Sequence, residues 1–162
     1  MDKLIAEHGV DAEEAENLAR VGRGCYGWIM GALAERRILE ERETELDCLA
    51  DTCRAGLDAR FDYANELAGV FSKDRDSAKQ TLYLWLRWWR DLLLIKEGAD
   101  EYVHHVNRST ALRRQATQLT TAQIIGFVKR LHQTLEDLDH NASPRLALEV
   151  LMLNLPGAGA YA

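Results

Sequence analysis

The chain has 162 residues, 47% hydrophobic and 28% charged, with 24 Leu and 21 Ala against 7 Val, 6 Ile and 2 Pro. This is enough apolar chain for one ordinary domain or two small ones, and it excludes both extended disorder and a strand-dominated fold. The net charge of −6 makes a duplex-gripping surface a poor expectation.

Residues Met1 to Gly9 include Asp2 and Glu7 and lack the apolar run of an export signal. The longest uncharged apolar stretch, Gly24 to Ala34, falls short of the roughly 18 residues of a membrane span. A soluble, cytoplasmic chain with no membrane partner is expected. Its three cysteines, Cys25, Cys48 and Cys53, form no Cys-x-x-Cys pair and are expected to be reduced and partly buried.

Asp11 with Glu14 marks the start of a short first helix, whose apolar positions Ala15, Leu18 and Ala19 stop at Gly22. Trp28 to Ala34 is apolar, and Glu35 to Asp47 is dense in charge without Gly or Pro, so a unit boundary near residue 40 is expected to be carried by helix. Leu46, Leu49, Cys53 and Leu57, then Phe61, Ala64, Leu67, Ala68 and Phe71, recur at helical spacing on either side of Gly56. Ser77 with Gln80 reads as a capping box opening a helix that runs to Gly98. Leu82, Trp85, Leu86, Trp89 and Leu93 share one face of it, Leu84, Trp88 and Ile95 nearly the opposite one, and only a narrow sector around Arg87, Arg90 and Asp91 is polar. Such a helix is surrounded, at the centre of a bundle or under a partner.

Gly98 to Arg108 reads as a connector and Ser109 to Thr117 as a short helix. Thr120 with Gln123 caps the next helix, carried by Ile124, Val128, Leu131, Leu135 and Leu138 to Asp139. Asn141-Ala142-Ser143-Pro144 sets cap residues ahead of a proline at the first helical position, and that helix ends by Pro156, leaving a frayed Gly-Ala tail over 158–162. The expected fold is an all-α helical bundle preceded by a small helical unit.

Chemical motifs are weak. Gly22-Arg23-Gly24-Cys25-Tyr26-Gly27 matches the Gly-x-Gly-x-x-Gly pattern, but no strand precedes it, so the glycines read as a sharp helix-to-helix turn. No Gly-Lys dipeptide occurs, so a phosphate-cradling loop is absent. Glu101 and His104 have Glu-x-x-His spacing once only, inside the connector, and His104, His105, His132 and His140 lack the i, i+4 pairing of a helical zinc site. These histidines are expected to be partly exposed polar residues. No catalytic, cofactor-binding or metal-binding residue is expected.

Two stretches carry a resemblance. Leu18-Ala-Arg-Val-Gly-Arg-Gly-Cys-Tyr-Gly-Trp-Ile-Met30 resembles the lid-domain turn of clamp-loader AAA+ proteins. Leu86-Arg-Trp-Trp-Arg-Asp-Leu-Leu-Leu94 and Asn141-Ala-Ser-Pro-Arg-Leu-Ala-Leu-Glu-Val-Leu-Met-Leu-Asn-Leu-Pro156 resemble the signature segments of the collar domain in the delta-prime family of bacterial DNA polymerase III clamp-loader subunits. The terminal motif, with Asn141, Ser143, Pro144 and Arg145, is the most specific part.

The resemblance implies a lid remnant over residues 1–40, with its turn at Gly22, Gly24 and Gly27, and a collar, or oligomerisation, domain over 41–157. Gly27 stands where nucleotide-hydrolysing relatives place a sensing arginine, which fits the non-hydrolysing delta-prime type. Family collars from five subunits pack into a ring. The implied partners are therefore the gamma/tau and delta subunits, with the sliding clamp and DNA reached only through the whole complex and no small-molecule substrate.

Trp85, Trp88, Trp89, Arg90 and Asp91 are candidate interface or packing residues. Trp88 leads as an anchor because it lies off the face of Trp85 and Trp89, against the competing reading that all three tryptophans are core. Arg90 and Asp91, being adjacent, are each expected to pair elsewhere. The alternatives to a replication module are a stand-alone helical adaptor and a helical metal protein or enzyme using Glu101 and His104.

Overall fold

The computed structural model describes residues 12–22, 25–34 and 36–157. Asp11, Gly24 and the tail over 158–162 lie outside the described residues, and with them the expected first cap and the middle glycine of the lid-like turn. Among the described residues there are helices and turns and no strand: α1 (Ala12–Val21), α2 (Tyr26–Ala34), α3 (Arg36–Arg54), α4 (Leu57–Lys73), α5 (Arg75–Lys96), two 3-10 turns (Asp100–Tyr102 and Val106–Arg108), α6 (Ser109–Gln118), α7 (Thr121–Asp139) and α8 (Pro144–Leu153). The protein is all-α.

One continuous core runs from Leu46 to Leu155. Helix α5 is its axis, packed against α3, α4, α6 and α7, while α8 closes on α4 and α7. A central position satisfies its nearly all-round apolar surface: Leu82 and Leu84, Trp85 and Trp88, and Trp89 and Leu92 are all at most 2% exposed, although their side chains leave the helix in different directions. A second, smaller cluster joins Ala15, Leu18 and Ile29, with Trp28 and Leu39 packed against it. Helix α3 contributes to both, through Leu39 at its start and Leu46 farther on.

Local chemistry sets the ends of the elements. Gly22 closes α1, its N–H donating to Leu18 O (2.8 Å), and a Cβ there would sit 2.6 Å from Ile29 Cγ1, so glycine lets α1 and α2 approach. Space around Gly27 is open, so it has no such role. Gly98 takes a left-handed φ of 74° after α5, with its N–H donating to Ile95 O and that of Ala99 to Leu94 O. This Schellman arrangement satisfies two terminal carbonyls. Thr120 and Gln123 make the expected reciprocal capping box of α7.

Several local expectations change. Helix α5 is capped by Asp74, whose Oδ1 accepts from Ser77 N (3.0 Å), so the helix begins at Arg75 and the Ser77–Gln80 pair is not its cap. Leu57 does not continue the buried stripe of Leu46, Leu49 and Cys53: the break at Gly56 changes the helical phase, and Leu57 opens α4 at 51% exposure. Ser143 caps α8 ahead of Pro144, as expected, but Asn141 serves the helix before it. With φ 60°, Asn141 turns the chain past the end of α7, where Ala142 N donates to Asp137 O (3.0 Å). Asparagine tolerates this conformation better than most side chains.

Arg60 ties the C-terminal segment to the bundle. Its buried guanidinium donates to Leu155 O (2.7 Å) and Cys53 O (3.1 Å), joining the strand of chain after α8 to the end of α3.

Candidate functional site

The polar sector of α5 and the connector after it form a buried polar cluster around Asp91. Asp91 is fully buried. Its Oδ2 accepts from His104 N (3.0 Å), His105 N (2.9 Å) and His105 Nδ1 (2.8 Å). An ionised carboxylate can only accept, so Nδ1 of His105 carries the proton of that contact. Burial alone would raise the Asp91 pKa. The His105 side-chain and backbone hydrogen bonds, the His105 charge interaction and the His104 amide outweigh burial and hold it below its ordinary value. Oδ1 has no hydrogen bond and lies 3.9 Å from the Arg90 guanidinium, which is half exposed. Asp91 therefore pairs away from Arg90, with the connector, whereas the ion pair of Arg90 is this long contact to Asp91 itself and not one elsewhere.

His105 is 2% exposed, which corrects the expectation of a partly exposed residue. The cause lies 14 residues upstream: Asp91 gives the imidazole a buried partner, and the Trp88 ring packs against it at 5.8 Å between centroids. His104 is half-buried and its Nδ1 donates to Arg20 O (3.1 Å). In return the Arg20 guanidinium donates to Val103 O (2.7 Å) and Glu101 O (3.3 Å), and also holds Glu16 (2.7 Å). The connector is thus fixed to α5 through Asp91 and to α1 through Arg20. Arg108 fastens its far end to α3 by hydrogen bonds to Glu43 and Asp47.

All three adjacent tryptophans are core. Trp88, left open between anchor and core by the sequence, is 1% exposed, and its Nε1 donates to Gln115 Oε1 (2.9 Å) on α6. The opposite face of α5 is covered by the chain itself, so no neighbour is needed to bury this ring. Trp85 Nε1 donates to Tyr63 OH (3.2 Å), whose pKa burial pushes up. Trp89 packs against Phe127 in a tilted arrangement, with ring centroids 4.5 Å apart. Burial pushes the Cys53 thiol up to about 12, whereas Cys25 and Cys48 are exposed.

Glu101 lies exposed in a 3-10 turn, and His104 is turned to the Arg20 carbonyl, so the pair lacks the shared helix face its spacing would need. Among the described residues no three His, Cys, Asp or Glu side chains are grouped to hold a metal ion. Arg145 pairs with Glu149 on the exposed side of α8 (2.8 Å). No helix among the described residues is long and apolar enough to cross a membrane.

The described residues form a helical bundle with Trp85, Trp88, Trp89 and Phe127 buried inside it and Asp91 holding the connector. The family described as DNA polymerase III, delta subunit, C terminal, matches residues 39–156. The chain belongs to that family. Membership places it among the clamp-loader-related subunits of DNA polymerase III and in DNA replication. The matched span takes in the whole continuous core and begins inside α3. No curated protein and no solved structure matches the chain.

Proposed function

We propose that the chain is a non-catalytic assembly module of the delta-prime type, holding gamma/tau and delta subunits of a clamp loader together through its bundle. In this reading residues 41–157 are the collar, α1 and α2 belong to a lid remnant, and the sliding clamp and DNA are met only through the complete assembly. The observation that supports the clamp-loader role is the family match over 39–156, which takes in the core of the bundle, and the delta-prime type rests on the sequence resemblance. Two further features support it. Asp91 Oδ2 is occupied by structural contacts, accepting from the His104 and His105 backbone amides and the His105 imidazole of the connector. Gly27, not an arginine, stands at the start of α2, just past the lid-like turn.

Co-expression with gamma/tau-type and delta-type subunits tests the proposal. The chain is expected to co-purify with at least one of them in fixed stoichiometry, and the purified chain alone to release no phosphate from ATP. Independent elution from both subunits, or sustained nucleotide turnover by the isolated chain, would contradict it.

A further inference from the structure

The connector is gripped from two sides through a single peptide unit. The C=O of Val103 accepts from the Arg20 guanidinium of α1 (2.7 Å), and the N–H of that same peptide, belonging to His104, donates to Asp91 Oδ2 of α5 (3.0 Å). A trans peptide is planar, and its C=O and N–H point in opposite directions. One rigid unit therefore stands between a cation on α1 and a fully buried carboxylate on α5.

The neighbouring groups repeat the pattern. On the α5 side, His105 N and Nδ1 donate to the same Oδ2 (2.9 and 2.8 Å). On the α1 side, Arg20 also reaches Glu101 O (3.3 Å), and its own carbonyl accepts from His104 Nδ1 (3.1 Å). Val103 is buried, and the flanks of the unit are tied to other helices, Asp100 to Arg113 of α6 (2.8 Å) and Arg108 to Asp47 of α3 (2.6 Å). Helix α1 packs its apolar side, Ala15 and Leu18, against Ile29 of α2.

We propose that the Val103–His104 peptide is a relay that sets the position of α1 from α5. Asp91 fixes how the peptide is turned, and the peptide in turn offers its oxygen to Arg20. Losing the Asp91 acceptor frees the unit to rotate about its flanking backbone bonds, which swings the Val103 oxygen off the guanidinium. While both bonds stand, the anion at the N–H and the cation at the oxygen polarise the peptide in the same sense, and each bond strengthens the other. Asp91 makes no hydrogen bond to α1 among the described residues, so the peptide is the bonded route between them. The inference goes beyond the assembly role and stands without it, because it concerns how the N-terminal helices are held to the bundle and its test needs no loader subunit.

Hydrogen–deuterium exchange on the full chain, read by mass spectrometry, tests the relay with Arg20→Ala, Asp91→Asn and the double variant. Exchange over α1 is expected to quicken about tenfold for Arg20→Ala and several-fold for Asp91→Asn. The double variant is expected to exchange over α1 no faster than Arg20→Ala alone, because a broken relay has nothing further to lose. Should Asp91→Asn fail to fold, His105→Leu, which removes only the side-chain bond to the same carboxylate, takes its place with the same expectations. The amide proton resonance of His104 gives a second reading: Arg20→Ala, which acts at the other end of the peptide, is expected to shift it upfield. Exchange over α1 unmoved by the change at the Asp91 clamp, effects that add in the double variant, or a His104 resonance that stays in place would each overturn the proposal.

Discussion

From Leu46 to Leu155 the chain closes three tryptophans, Phe127 and rows of leucine into one core, whereas α1 and α2 close on Ala15, Leu18 and Ile29 with Trp28 and Leu39 beside them. The first region carries enough buried apolar surface to hold its own shape. The second has a few side chains and a polar clasp, Arg20 on the connector carbonyls. Stability in this protein should therefore reside in the bundle, and the position of the N-terminal helices should follow from the connector that Asp91 fixes.

The strongest way to break this contrast is to empty the core. Trp88→Ala removes a buried indole and its bond to Gln115, and is expected to cost about 3–5 kcal/mol of unfolding free energy, read from the urea midpoint. A loss no larger than that of an exposed substitution would mean that the ring is not core in solution.

Asp91→Asn keeps the shape and removes the charge from three hydrogen bonds, with an expected loss of about 2–3 kcal/mol at neutral pH. The folded-state pKa lies below the ordinary 3.8. Its contribution is therefore present above that value and lost as pH falls through the folded one. Urea titrations across the acid range should show the parent chain losing stability in that window and Asp91→Asn losing less. Parallel acid limbs would remove Asp91 from the account.

Smaller changes sharpen the comparison at the α7–α8 turn and the clasp. Ser143→Ala should cost about 1 kcal/mol as a lost cap, while Asn141→Gly, at a left-handed position beyond α7, should leave thermal stability unchanged or slightly higher. Arg20→Ala should leave the urea midpoint of the bundle in place and speed amide hydrogen exchange in α1. A midpoint shift comparable to that of Asp91→Asn would show that the two regions form one cooperative unit.

The parts readable beforehand were those decided within one helical turn or by the distribution of side chains around one helix. Thr120 and Gln123 satisfy each other three residues apart, Ser143 precedes Pro144, and the all-round apolar surface of α5 required that it be surrounded, by the bundle or by a partner. The misread parts depend on partners distant in sequence or on competing local choices. His105 is buried because Asp91 and Trp88 meet it from another helix, and Trp88 is covered because α6 folds over it with Gln115. Asp74 displaced Ser77 as a cap, since its carboxylate accepts the Ser77 amide and starts the helix one turn earlier, leaving Ser77 inside the first turn.

The central claim is that the bundle alone presents the surface by which this subunit is held in its complex. Sedimentation velocity on residues 36–157, lacking α1 and α2, mixed with a gamma/tau-type or delta-type subunit at micromolar concentration addresses it directly. A single faster-sedimenting species of fixed stoichiometry, matching that of the full chain, is the predicted result. Separate boundaries for a folded fragment and its would-be partners, where the full chain does form a complex, would place the contact in the N-terminal helices and contradict the account.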